Sequence, residues 1–183
     1  NNGIIEGVPV VNGGSYTVDS PMSLQWLSKL VNDNPGSTWD VSVTEDIVIP
    51  DGFMFESIGY ANGAVFSGTF DGNGHTISGL RSVTNSASYG MFYALKDALV
   101  RDVNLLVDYE TRTGYTGGVA YAALEGTTLL NVTVSGEITA TGTSYGVGGM
   151  VASVSSISSG DVYFINCKND ADADRHPLVR ILP

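Results

Sequence analysis

Apolar residues recur at helical spacing in one segment only. Between Ser20 and Asn32, the residues Leu24, Leu27, Leu30 and Val31 fall at steps of three and four, one stripe of an amphipathic helix. Ser20 suits the N-cap, Pro21 the first helical position, and Asn34-Pro35-Gly36 ends the segment. Beyond it the pattern shortens to alternation and brief apolar runs. Val41-Ser42-Val43-Thr44 alternates, Ile47-Val48-Ile49 stops at Pro50-Asp51-Gly52, and Val65 to Phe70 and Thr76 to Leu80 read as two further strands. The last two flank Asp71-Gly72-Asn73-Gly74. That juxtaposition predicts a hairpin near residues 66–80, because Gly and Asn tolerate the positive φ of tight hairpin turns.

The second half repeats itself. Gly90-Met91-Phe92, Gly118-Val119-Ala120 and Gly149-Met150-Val151 each open a short apolar run. Each leads to a strand interrupted by a polar residue, at Asp102, Asn131 and Asn166. The steps are 28 and 31 residues between the glycines, and 29 and 35 between the polar residues. Strand-rich units at that period, with no helical pattern between them, predict a β-solenoid of parallel coils stacked on one core. Such a stack has exposed strand edges at its ends, and an amphipathic helix laid over the first coil would cover one of them. The expected organisation is a lead segment (1–19), a capping helix (20–34), β-helical coils (35–167) and a C-terminal tail or cap (168–183).

Composition narrows the function. The chain has 183 residues, 19 Asp and Glu against 8 Lys and Arg, and a net charge of -11. Its isoelectric point near 4.2 argues against nucleic acid as a partner. With 43% hydrophobic and 15% charged residues it is too apolar to be disordered. One Cys builds no disulfide framework and no Cys-rich zinc module; beside Asn166, Cys167 reads as a small buried residue. No apolar run approaches the ~18 residues of a membrane span. Asn1-Asn2-Gly3 reads as a mature terminus or a fragment edge, with neither a start Met nor a signal peptide.

The order of elements also carries a resemblance. A helix ending in Leu30-Val31-Asn32 is followed by Val43-Thr44-Glu45-Asp46-Ile47, then Ser57-Ile58-Gly59. Next comes the phrase from Phe66 to Leu80, centred on Asp71-Gly72-Asn73-Gly74-His75, and then the Gly-Gly coils. Over roughly residues 16–169 this resembles the GLUG-motif β-helical repeats of bacterial surface proteins, including the non-catalytic N-terminal region of IgA1-protease-like (M26) proteins. The resemblance implies a right-handed parallel β-helix, secreted or on a bacterial cell surface, with adhesion as the inferred role. Two departures stand out. Gly118-Val119-Ala120-Tyr121 and Gly149-Met150-Val151-Ala152 lack the closing Gly of the family's coils, and Lys168 to Pro183 does not begin another coil. The peptidase's zinc motif, His-Glu-x-x-His, is missing: the chain's histidines are His75 and His176 alone.

Candidate chemistry is thin. Asp71-Gly72-Asn73-Gly74-His75 offers too few oxygens for a calcium loop and reads as a turn. Asp102, Asn131 and Asn166 share a repeat position and read as a hydrogen-bonded structural ladder, although Asn131-Val132-Thr133 also matches a glycosylation sequon. Glycoside hydrolysis needs two carboxyl groups facing each other roughly 5–9.5 Å apart. Asp108, Glu110, Glu125 and Glu137 read as occurring singly at different coil positions, with only Arg101 and Arg112 among the central coils. Thr111-Arg112-Thr113 and Thr139 to Thr143 do not align into an ice-binding face. Exposed tyrosines that stack on sugars are the remaining ligand candidates, foremost Tyr109, Tyr115 and Tyr145, beside Tyr89 and Tyr121. Leu178, Val179, Ile181 and Leu182 make the tail's end apolar, fit to cap the last coil or to pair with another subunit.

These features predict a non-enzymatic, extracellular or cell-surface β-helix that binds host or surface glycans or proteins, without cofactor, metal or transmembrane segment. The alternatives are a carbohydrate-active β-helix, lyase-like, hydrolase-like or glycan-binding, and a structural subunit of a filament or virion.

Overall fold

The computed structural model describes residues 14–60, 63–84, 88–142, 144–154 and 160–175. The lead segment up to residue 13, His176 and the apolar tail residues Leu178, Val179, Ile181 and Leu182 lie outside the described residues. In chain order the elements are β1 (Ser15–Val18), α1 (Pro21–Asp33), β2 (Thr38–Val43), β3 (Ile47–Val48), β4 (Phe66–Asp71), β5 (Thr76–Thr84) and β6 (Phe92–Thr111). There follow β7 (Gly114–Gly117), β8 (Ala120–Ala123), β9 (Thr128–Ala140), β10 (Ser144–Gly148), β11 (Val151–Val154), β12 (Tyr163–Ile165) and β13 (Lys168–Arg175). Strand makes up 57% of the chain, in a β-solenoid of about four turns. Among the described residues every strand pair is parallel.

Register explains the repeat. On a first face, Tyr16, Val41, Phe70, Val100, Leu129 and Phe164 stand one above another across β1, β2, β4, β6, β9 and β12. All but the last are at most 2% exposed, whereas Phe164 is 45% exposed. On a second face, Ile47, Ile77, Leu105 and Val134 form a parallel inward column, ending in Asn169. A third face runs from Ile58 through Phe92 and Ala120 to Val151. Up to β9 each coil places an apolar side chain on its predecessor's, so the columns form one core.

The helix begins as its sequence predicts. Ser20 Oγ accepts from the Ser23 amide at 3.2 Å, and Ser23 Oγ accepts from the Ser20 amide at 3.0 Å, a capping box. Leu24, Leu27 and Val31 are buried in the common core, while Leu30 is only partly buried against it. A strand, β1, precedes the helix and pairs with β2, so the solenoid includes part of the lead segment.

Two expectations are corrected. The hairpin near residues 66–80 does not form. β4 lies between β2 and β6, and β5 between β3 and β6, so the two strands occupy different faces of one coil. The turn itself forms, with Asn73 at φ 49°, but it redirects the chain onto the next face. Its amides bond to the following coil: Gly72 N–H donates to Arg101 O at 2.9 Å and Gly74 N–H to Asp102 O at 2.7 Å. A Cβ on Gly72 would lie 2.5 Å from Asp102 O, which explains the glycine. The second correction moves the boundary at residue 167, because Lys168–Arg175 continues the solenoid, paired with Thr133–Ala140 of β9.

Candidate functional site

At the corner between the first and second faces, Asp102, Asn131 and Asn166 adopt left-handed conformations with φ of 49°, 54° and 50°. Asn and Asp tolerate this region better than most residues. Parallel stacking sets the three side by side. Asn131 Nδ2 donates to Asp102 Oδ1 at 2.7 Å, and Asn166 Nδ2 donates to Asn131 Oδ1 at 2.8 Å. Arg101 Nε approaches the other Asp102 oxygen at 2.6 Å. The Asn131 amide, then Arg101, hold the Asp102 carboxyl below its ordinary range. The sequon's Asn131 therefore spends its side-chain amide within the stack. In the nearby loop, Asp71 Oδ1 accepts from the Asn73 amide at 2.9 Å, while His75 pairs with Asp46 at 3.1 Å. Among the described residues no group of three His, Cys, Asp or Glu side chains converges as a metal site.

Of the three tyrosines singled out, Tyr109 is corrected: it is 1% exposed. It follows Leu105 and Val107 on the inward parity of β6, and its hydroxyl donates to Gly118 O at 3.4 Å. Burial pushes its phenol well up. The side chain of Tyr145 lies outside the described residues. Tyr115 is half-buried and belongs to a larger cluster.

Three of the cluster's rings lie along the third face, and Tyr115 joins from β7, which pairs with β10 in a separate two-stranded sheet. Tyr60 and Tyr93 meet edge to face with ring centres 5.2 Å apart, Tyr93 and Tyr121 at 4.9 Å, and Tyr121 and Tyr115 at 5.8 Å. The spacing matches the roughly 4.8 Å between paired strands. Tyr60 is 48% exposed and the others are half-buried, so each ring of the strip keeps part of its surface in solvent. Burial, then the Tyr121 and Tyr60 phenols, raise the Tyr93 phenol. Tyr60 and Tyr93 were missed from sequence. A signal existed for Tyr93, which precedes Tyr121 by the same 28 residues that separate Gly90 from Gly118.

The second face differs. Asp108 and Glu137, read from sequence as isolated, are register partners on β6 and β9, and Arg81 is the register partner of Asp108 on β5. Arg81 pairs with Asp51 at 2.6 Å and approaches Asp108 at 3.6 Å. The two carboxylates project from adjacent strands on one side of the sheet. They do not oppose each other across a cleft, the arrangement that two-carboxylate glycoside hydrolysis requires.

A solved structure is similar in fold: a putative immunoglobulin A1 protease from Bacteroides ovatus, with a TM-score of 0.63 and 15% sequence identity. The match covers 87% of this chain and 47% of that protein, so the chain spans about half its length. At that identity the likeness speaks for the β-solenoid alone. No protein-family model matches the chain. A comparison with curated proteins finds no match either. Among the described residues no helix is long and apolar enough to cross a membrane.

Proposed function

We propose that this solenoid is a non-enzymatic binding module, displayed on a bacterial surface or secreted, that engages host or surface glycans or proteins through its third face. The observation that carries the reading is the strip Tyr60–Tyr93–Tyr121–Tyr115, where three rings step along the third face and Tyr115 joins them from β7. Partly exposed tyrosines combine apolar area with a hydrogen-bonding tip and little rotamer entropy to lose, which suits recognition. The resemblance to GLUG-repeat surface proteins, with α1 as the cap of the first coil, supports the same reading. So does the bacterial source of the similar fold. The test is binding to arrayed glycans and host proteins by the parent chain and by Tyr93→Ala/Tyr121→Ala. Loss of signal in the variant supports the reading, and turnover of a defined polymer by the parent chain sinks it.

One observation favours a second reading, a carbohydrate-active solenoid: Asp108, Glu137 and Arg81 share one patch of the second face. New reducing ends or unsaturated products released from a polysaccharide would establish it.

A further inference from the structure

The second face holds a shallow depression of about 430 Å³, lined by Gly79, Arg81, Leu106, Val107, Asp108, Gly136 and Glu137. Its size falls within the ~300–1,000 Å³ of small-ligand sites. Gly79 and Gly136, at φ 77° and 104°, line it with backbone alone. Around it stand three kinds of group. Asp108 and Glu137 are adjacent carboxylates that only accept hydrogen bonds. Glu137 Oε1 takes one donor, Thr139 Oγ1 at 2.9 Å. Arg81 is a donor-only fork whose side chain is 48% exposed. Leu106, 46% exposed, adds an apolar edge.

We propose that this depression binds a neutral pyranose unit of a glycan. Neighbouring ring hydroxyls are donors for Asp108 and Glu137, hydroxyl and ring oxygens are acceptors for Arg81, and the ring's C–H face rests on Leu106. Asp51, Asp108 and Glu137 outnumber Arg81 by three charges to one, so the patch is net negative and repels uronate, sulfate, sialate and phosphate. The site is separate from the tyrosine strip and does not depend on it.

The test is isothermal titration of the full chain with neutral gluco-, manno-, xylo- and galacto-tetrasaccharides and with tetragalacturonate, each with and without EDTA. The expected result is saturable binding of a neutral tetrasaccharide, unchanged by EDTA and tighter than any binding of tetragalacturonate. Arg81→Met and Glu137→Gln each weaken it by about tenfold, the scale of one lost charged hydrogen bond. Both residues are exposed, and thermal melts check that the variants stay folded. The proposal is overturned by the absence of saturable neutral binding, by binding indifferent to Arg81 and Glu137, by a preference for tetragalacturonate, or by loss in EDTA. Cleavage of the bound tetrasaccharide would sink the non-enzymatic reading and leave this site standing.

Discussion

The tyrosine face and the carboxylate face are built by one device and have opposite energetics. A solenoid sets residues one repeat apart about 4.8 Å from each other, so each outward position becomes a column of near neighbours. On the third face the column contains Tyr93 and Tyr121, with Tyr60 and Tyr115 beside them, and rings attract rings in edge and tilted contacts. On the second face Asp108 stands beside Glu137, like charges that destabilise the pairing, relieved in part by Arg81. The corner ladder lies between these extremes, because Asn131 both donates to Asp102 and accepts from Asn166. A self-attracting column stabilises the fold while it displays its residues. A self-repelling column gains nothing from the stack, so its justification lies in what it displays.

The largest effect that would break this contrast sits beneath the carboxylates. Gly136→Ala forces a Cβ against Val107 O at a φ of 104°. We expect a loss of about 3 kcal/mol or more in chemical denaturation. A variant as stable as the parent would mean that the second face lacks this close backbone approach. Asn131→Ala comes next, since it removes both ladder bonds and places Ala at φ 54°. The expected cost is about 2–3 kcal/mol, and Asn131→Gly recovers the conformational part.

Tyr93→Ala should cost about 1–2 kcal/mol through its two ring contacts. A neutral result would remove the self-attraction from the third face. Acid titration sharpens the ladder's place between the faces. The Asp102 carboxyl lies below its ordinary 3.8 through Asn131 and then Arg101, so its contribution is complete above that value. It is lost as the pH falls below 3.8 and through the lowered value, and Asn131→Ala should flatten this part of the stability curve. The smallest effect belongs to Glu137→Gln. It should change stability by less than about 0.5 kcal/mol, favourably at low salt, with the gain fading at high salt. A clear loss in Glu137→Gln would mean that the carboxylate column stabilises the fold after all.

Much of the fold was legible because its signals are local. The stripe Leu24, Leu27, Val31 and the Ser20 cap specify α1 within a dozen residues. The glycine and Asp/Asn steps reveal the coils because each coil reuses one corner. What failed was the identity of partners. Asp71 to Gly74 announces a change of direction, but β4's partners lie about 30 residues away in β2 and β6, beyond any local pattern. β13 escaped notice because Asp occupies its alternate positions, and the residues between, Ala171 and Ala173, are the smallest apolar ones. The site failed on parity and register. Tyr109 continues the alternation of Leu105 and Val107 into the core, which the sequence already contained. Asp108 and Glu137 each lie six residues beyond a ladder member, Asp102 and Asn131. Aligning the coils on the ladder would have paired them.

Whether the third face is a recognition surface is decided by a single pair of titrations. Parent chain and Tyr93→Ala/Tyr121→Ala are titrated against the strongest partner from a glycan and host-protein array, after both are shown to be folded at the assay temperature. The expected affinity is at least about tenfold lower in the variant, the scale of about 1.4 kcal/mol. Equal affinity of the two proteins for that partner would contradict it.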